Sequence, residues 1–303
     1  MLPAIMAVMI LIVVSFLAGV LLRRFKALPE NAHTVLNGFI IYVSLPALVI
    51  KSLRIMPMTS TYFGAALMPW IMFLVAAALF LLLERLKIFN RNTTIALMVT
   101  AGLANTSFVG IPVIEALYGK QYIPVAVIID QMGTFLLVSV LVVPLMDFLR
   151  IGEFNLRHAI RNLLLFPPFI ALILAFIFQW LRPIEIVFTV AERLADTLAP
   201  VALVSVGLQW HPSHVSKFAK ELSIGLTYKL LLAPLLIFAL YTAVKYHPEL
   251  KKIVILEAAM GPMITGGIIA MQKNINPPLV AAMLSVGIPL SLVTSLAVKL
   301  FFR

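Results

Sequence analysis

Two long apolar stretches of this chain are interrupted near their middles by residues that an unbroken helix accommodates poorly. One carries Asn105-Thr106-Ser107-Phe108-Val109-Gly110-Ile111-Pro112 and the other Gly261-Pro262-Met263-Ile264-Thr265-Gly266-Gly267. Peptide groups released by an interrupted helix cannot face lipid, so such interruptions persist only where protein or a water-filled cavity satisfies them. Composition decides that lipid is the relevant surrounding. Of the 303 residues 62% are hydrophobic and the mean hydropathy is +1.09, against about 45–50% apolar residues in soluble domains. An integral membrane protein is expected. Paired interruptions in corresponding positions of its two halves point to a carrier's binding site.

The formal charge of +11, from 23 Lys and Arg against 12 Asp and Glu, would suggest a nucleic-acid partner in a soluble chain. Here most basic residues fall in short polar gaps between apolar runs, where membrane proteins keep them for orientation, and no nucleic acid is expected. The absence of Cys excludes disulfides and thiolate ligands without indicating a compartment. The first apolar run, Leu2 to Leu22, lacks a basic leader and can span a core of about 30 Å, so it reads as a retained helix.

Apolar stretches give roughly ten spans of about 20 residues, at approximately 2–22, 32–53, 62–83, 93–118, 122–149, 161–181, 188–209, 222–244, 253–272 and 277–301. Their punctuation repeats. Pro46 in the second span answers Pro200 in the seventh, Pro69 answers Pro234, Gly133 answers Gly287, and the broken fourth span answers the broken ninth. Five is odd, so consecutive five-span units enter the membrane from opposite sides, as an inverted repeat. The expected fold is an all-α polytopic membrane protein. Its ten transmembrane helices form two inverted five-helix repeats, 1–149 and 161–303, joined by a short cytoplasmic linker, 150–160, with no soluble domain inserted. Arg23, Arg24 and Lys26 in the first loop, Arg85, Lys87 and Arg91 in the third, and Arg150, Arg157 and Arg161 in the fifth favour those loops as cytoplasmic and the N-terminus outside. Lys245, Lys251 and Lys252 in the eighth loop oppose that bias.

A broken helix offers free N–H groups and a positive dipole end at the start of its second half, worth about 0.3–2 kcal/mol to an anion. Half-helices starting near Pro112 and Met263 would, if they cross, form a site for a small anion. Asn105, Thr106 and Ser107 add an amide and two hydroxyls on one side, with Gly110 and Pro112 following. Thr265, Gly266 and Gly267 allow close backbone approach on the other, with Gly261 and Pro262 preceding them at the break. The competing reading is that these polar residues only satisfy loosened main chain. Ionisable residues inside spans cost about 2.5–3.5 kcal/mol each on insertion, which makes Asp130, Lys229, Glu115 and Glu257 candidates for proton coupling or charge pairing. Structural ion pairs, or snorkelling of Glu115 and Glu257 to the interface, are the alternatives. Glu192, Arg193 and Asp196 read as intrahelical pairing. His211 and His214 read as a solvated loop, so no metal site is expected, and Gly119-Lys120 lacks the upstream glycine of a phosphate loop.

At these residues the chain resembles the auxin efflux carrier family, which includes the plant PIN-formed exporters and many bacterial permeases, within the bile/arsenite/riboflavin transporter superfamily. The resemblance covers essentially the whole chain. It rests on Leu36-Asn37-Gly38 through Ser44-Leu45-Pro46-Ala47-Leu48, on Asn105 to Pro112, on Lys229 to Pro234, and on Ala258 to Ala270 with Pro262 and Gly266-Gly267. It implies a scaffold of helices 1, 2, 6 and 7 and a transport domain of helices 3–5 and 8–10, moving as an elevator in a homodimer. It also implies a substrate site where broken helices 4 and 9 cross, at Asn105, Pro112 and Pro262, and both termini outside. The long central loop of the plant exporters is missing, so the likeness is to bacterial inner-membrane members that carry malonate, malate and related carboxylates. The resulting expectation is a secondary transporter of a small organic anion, a mono- or dicarboxylate, with no cofactor and with H+ or Na+ as the coupling ion if there is one. An anion sensor without transport and an intramembrane enzyme are the alternatives; the scattered buried acids disfavour the enzyme.

Overall fold

Proline shapes these helices, because it lacks the N–H that would reach the carbonyl four residues back and its ring crowds that carbonyl. The computed structural model describes residues 2–53, 60–152, 156–181, 185–210 and 215–301. In it, π-helical segments end two residues before Pro46, Pro112, Pro144 and Pro234: Ile40–Ser44, Thr106–Gly110, Val138–Val142 and Tyr228–Leu232. In three of them the N–H just before the proline reaches back five residues, from Leu45 to Ile40, Val143 to Val138 and Ala233 to Tyr228. The widened turn lets the helix pass its proline without a break. Another π segment, Ile129–Phe135, has no proline behind it and carries Asp130, Gln131 and Thr134.

In chain order the α-helices are α1 (Leu2–Arg24), α2 (Ala32–Phe39), α3 (Leu45–Leu53), α4 (Ser60–Ala66), α5 (Met68–Arg85), α6 (Arg91–Gly102), α7 (Ile111–Tyr118), α8 (Ile123–Ile128) and α9 (Val143–Ile151). They continue as α10 (Leu156–Leu164), α11 (Pro167–Leu181), α12 (Glu185–Ala195), α13 (Leu198–Gln209), α14 (Ala219–Thr227), α15 (Ala233–Ala243), α16 (Pro248–Ala258), α17 (Ile264–Gln272) and α18 (Pro277–Phe301). Among the described residues, five continuous helical stretches are long and apolar enough to cross a membrane: Ala32–Leu53, Thr61–Arg85, Lys120–Ile151, Ser216–Ala243 and Pro277–Phe301. Their outer faces agree with that assignment. Leu290, Val293, Leu296 and Leu300 form an exposed apolar stripe along α18, and Ile10, Val14, Leu17 and Leu21 form another along α1. Stripes of this extent are untenable in water and ordinary in lipid. The molecule is an integral membrane protein built of helices.

The sixth and seventh spans, expected as single segments over 161–181 and 188–209, are each two helices. Pro167 opens α11 and disfavours helix at Phe166 before it. Pro200 has its steric conflict with the carbonyl of Asp196, where the chain turns between α12 and α13. Of the expected linker 150–160, α9 takes Ile151 and α10 begins at Leu156, while 153–155 lie outside the described residues.

The chain divides into two compact units. The first comprises Met1–Thr59, Ser107–Val127 and Asn162–Trp210, the second Ser60–Thr106, Ile128–Arg161 and His211–Arg303. Within the first, α1 and α13 pack backbone to backbone through Gly19 and Gly207. A Cβ on either would stand 2.1 Å from a carbonyl of the other helix, Val204 O for Gly19 and Phe16 O for Gly207. Ser205 Oγ donates to Asn37 Oδ1 at 2.6 Å, and the Ser44 and Thr197 hydroxyls bond at 2.7 Å, tying α13 and its N-cap to the second span. Lys51 on α3 pairs with Glu192 at 2.9 Å and Asp196 at 3.6 Å. Sequence spacing had suggested pairing within the seventh span; the partner is instead a lysine from α3. Within the second unit, Tyr228 and Tyr241 donate to the carbonyls of Met72 at 2.5 Å and Gly64 at 2.7 Å, fastening the eighth span to the third. Gly133 lies where a Cβ would meet Ala66 O at 2.8 Å and the Pro69 ring at 2.9 Å.

Candidate functional site

Both interruptions read from the sequence are present, and they lie against each other in the second unit. α6 ends at Gly102 and Leu103 turns extended, with φ −110° and ψ 136°. α16 ends at Ala258, and Met263 is extended before α17 resumes at Ile264. Between them Ala104 and Pro262 form an isolated antiparallel bridge, the one extended pairing among the described residues, and Asn105 N donates to Gly261 O at 2.9 Å. Main chain freed in one helix is thus satisfied by main chain freed in the other, as the absence of water in a bilayer requires. Glycine is needed for this approach. A Cβ on Gly261 would stand 2.8 Å from Ser291 Oγ and 2.9 Å from Ile288 Cα, and one on Gly287 would stand 2.5 Å from the Pro262 ring.

The first interruption falls earlier than the sequence suggested. Helix resumes at Thr106, as a π segment that runs into α7, and not near Pro112, which sits in the first turn of α7. Proline's fixed φ suits a first helical turn, so Pro112 marks an adjustment within the half-helix and not its start. The chain also passes from the second unit to the first between Thr106 and Ser107. Asn105 and Thr106 therefore group with Gly261, Pro262, Thr265 and Gly266, whereas Ser107, Gly110, Pro112 and Glu115 belong to the first unit.

Around the crossing the second unit holds a set of polar side chains shut away from solvent. Asn105 and Thr106 are each 1% exposed, Asp130 3%, and Lys229 and Glu257 0%. Thr106 Oγ1 donates to Asp130 Oδ1 at 2.5 Å and lies 3.1 Å from Thr134 Oγ1. Gln131 Nε2 donates to Asp130 Oδ2 at 2.7 Å, so each Asp130 oxygen receives a neutral donor. Lys229, in the π segment before Pro234, donates from Nζ to Ala258 O at 2.8 Å, at the negative end of α16 beside the break. Glu257 is the residue before Ala258, whose carbonyl takes this bond. Thr106, Asp130 and Lys229 all lie in π segments, which redirect side chains that a regular helix would aim elsewhere.

Several expected roles change with placement. Glu257 was open to reading as an interfacial, snorkelling residue; it is fully buried, four residues from Gly261, because α16 packs against α15, α18, α5 and α4. Glu115 is half-buried, 3.8 Å from Lys120. Gly266 makes its close approach to Val99 and Leu103, where a Cβ would stand at 3.1 and 3.2 Å, so its small size serves the packing of α17 on α6. Thr265 is half-buried. Thr134 went unnoticed in the sequence, although its position four residues after Asp130 puts both on one helix face; Gln131 was noticed only as a neighbour. His211 and His214 lie outside the described residues, and among the described residues no cluster of His, Asp or Glu is arranged to hold a metal ion. A cleft of about 200 Å³ in the first unit, lined by Lys51, Glu115, Lys120, Asp196 and apolar neighbours, contains none of the crossing's residues.

Thr106 is tied to Asp130 by a charge-assisted hydrogen bond, so Thr106→Val is expected to lower stability by about 1.5–3 kcal/mol. Thermal unfolding of purified protein in detergent checks this; an unchanged midpoint would contradict the pairing.

Unwound main chain beside buried charged side chains, among them Asp130 and Lys229 in stretches long and apolar enough to span, suits a membrane transporter. The chain belongs to the membrane transport protein family, the auxin efflux carrier-like family, whose model matches residues 3–298. It is also similar to an uncharacterized transporter of Methanothermobacter thermautotrophicus, 24% identical over 287 residues that cover 93% of each chain. An uncharacterized transporter of Methanocaldococcus jannaschii is 21% identical over 264 residues, covering 84% of this chain and 85% of the relative.

Proposed function

We propose that this protein is a secondary transporter of a small organic anion, a mono- or dicarboxylate, bound where the two interrupted helices cross. The observation that carries the reading is the crossing itself. Asn105 and Gly261 join the breaks through main chain, two half-helices start at Thr106 and Ile264, and the ammonium of Lys229 lies at the same break. Helix starts favour anions, and a buried cation favours them more. Asn105, Thr106, Gly261, Pro262 and Thr265 are the proposed substrate-side residues, with Ser107, Gly110 and Pro112 following on the next helical stretch.

The rest of the reading is proposed with it: ten spans as two inverted repeats, an inner (plasma) membrane location with both termini outside, a homodimer, and elevator-type movement. Two features support elevator movement. The chain divides into two compact units, and it changes unit at Thr106–Ser107, beside the proposed site, and again at Val127–Ile128.

Asn105→Ala removes a side-chain amide but leaves the main-chain bond from Asn105 to Gly261. It is expected to weaken carboxylate affinity about tenfold or more, the worth of one hydrogen bond to a charged group, with the fold kept. Half-saturation for labelled malonate or malate exchange in liposomes is the readout. An unchanged value in a well-folded variant would remove Asn105 from the site.

A further inference from the structure

Two carboxyl groups are buried in the second unit, and their surroundings differ. Asp130 receives a donor on each oxygen, from Thr106 and Gln131. Glu257 is 0% exposed, and among the described residues neither Oε1 nor Oε2 has a hydrogen-bond partner. A buried carboxylate ion without a donor is among the most costly arrangements a protein can hold, whereas the neutral acid is tolerable. Lys229 sharpens the contrast. Its ammonium bonds to the neutral carbonyl of Ala258, the residue that follows Glu257 in the chain. An ionised Glu257 would draw that ammonium to itself.

The other titratable groups on elements packed against α16 are engaged or distant. Tyr241 on α15 donates to Gly64 O, and Glu84 near the end of α5 pairs with Arg91 at 2.9 Å. Arg85 and Lys299 lie in the last turns of α5 and α18, and Tyr62 is the titratable residue of α4. On α16 itself Glu249 pairs with Lys252 in the first turns.

We propose that Glu257 is a proton-binding site coupled to the substrate. A proton taken from the aqueous side on Glu257 crosses with the anion and is released with it, and its binding frees the Lys229 ammonium to face the substrate carboxylate. The structure then corresponds to the proton-loaded form, with Lys229 resting on Ala258 O. When Glu257 gives up its proton, Lys229 turns to the new carboxylate and the anion loses its cation. Proton and anion therefore favour each other's binding, reciprocally. A monovalent acid crosses with no net charge and a divalent one with a single negative charge. This inference rests on the anion-transporter reading for its substrate, while the proton site can be tested without any substrate.

The test has two arms. Infrared difference spectra between acid and alkaline pH, on the purified protein in lipid, are expected to show a protonated-carboxyl band that disappears in Glu257→Gln, a variant with the shape of the neutral acid. Should that variant fail to insert, Glu257→Asp is expected to shift the band, and an unshifted band overturns the assignment. In liposomes, half-saturation for labelled malonate is expected to rise with pH, approaching about tenfold per pH unit in the wild type and flat in Glu257→Gln. A band retained in Glu257→Gln, a pH dependence retained there, or a sodium requirement at fixed pH overturns the proposal. If the wild type moves none of malonate, malate, acetate or citrate, the anion reading fails, and the infrared arm alone decides the proton site.

Discussion

Gly207→Val is expected to be the most damaging single substitution in the first unit, lowering stability by about 3 kcal/mol or more, at or beyond the upper end of overpacking costs. The reason is geometric. At Gly207 even a Cβ would stand 2.1 Å from Phe16 O and 3.0 Å from Gly19 Cα, and both obstacles are main chain. A side chain in the way can rotate, but a helix backbone can only be pushed aside. α1 and α13 would separate along their length, and the dispersion contacts of their small-residue interface would go with them. The hydrogen bonds from Ser205 to Asn37 and from Arg23 to Leu208 O at 3.0 Å, which lie beside this crossing, would be strained as well. Gly38 supplies the control. It lies inside α2, among the described residues nothing stands within 4 Å of its would-be Cβ, and Gly38→Ala should be neutral or stabilising by about 0.5–1 kcal/mol. Folded yield and thermal midpoint of the two variants check the pair; a Gly207→Val protein as stable as wild type would contradict the close crossing.

Lys229→Met is expected to abolish transport, with a fall of about a hundredfold or more, the upper worth of a hydrogen bond to a charged group, while the protein still reaches the membrane. Methionine fills much the same volume in a fully buried position, so packing is largely kept. What disappears is the cation at the break and the donor to Ala258 O. Losing that donor should cost stability by only about 1–3 kcal/mol, the penalty of one buried carbonyl left unsatisfied. Function and stability thus separate in this variant. Thermal unfolding alongside labelled malonate exchange distinguishes the outcomes: a folded protein without exchange is predicted, and a folded protein with undiminished exchange would show Lys229 to be structural. Lys229→Arg should rescue poorly, because a planar guanidinium cannot occupy the space of a compact ammonium.

Those two substitutions mark what the sequence could and could not reveal. That the chain lives in lipid, and that two of its helices are interrupted, was legible because Gly261-Pro262 and the Asn105-Thr106-Ser107 run violate helix rules inside apolar stretches. The position of the first break was legible only to within several residues. Pro112 looked like the start of the half-helix, yet a π segment before it absorbs the steric conflict and helix begins at Thr106. The same device precedes Pro46, Pro144 and Pro234, and no residue type signals whether a proline will be met by a π turn or, as at Pro200, by a break. Burial was less legible still. Glu257 and Glu115 look alike in sequence, each a few residues from an interruption, but neighbours on other helices bury one fully and leave the other only half-buried beside Lys120. Gly266 also lies close against Val99 and Leu103, neighbours on another element that its own helix does not announce. Periodicity and punctuation report on a residue's own helix, whereas these roles are set by what packs against it.

The central claim is that a small organic anion binds at the helix crossing and is carried across the membrane. Its most direct test is counterflow: purified protein in liposomes preloaded with unlabelled malonate, malate, acetate or citrate, diluted into the same acid carrying a trace of label. Exchange needs neither a known driving ion nor a net current, so it reports carriage whatever the coupling. Transient, saturable accumulation of label is expected for at least one acid with the wild type, and a clearly reduced affinity with Asn105→Ala. Label uptake no greater than in protein-free liposomes for every acid, from protein shown to be folded, would contradict it.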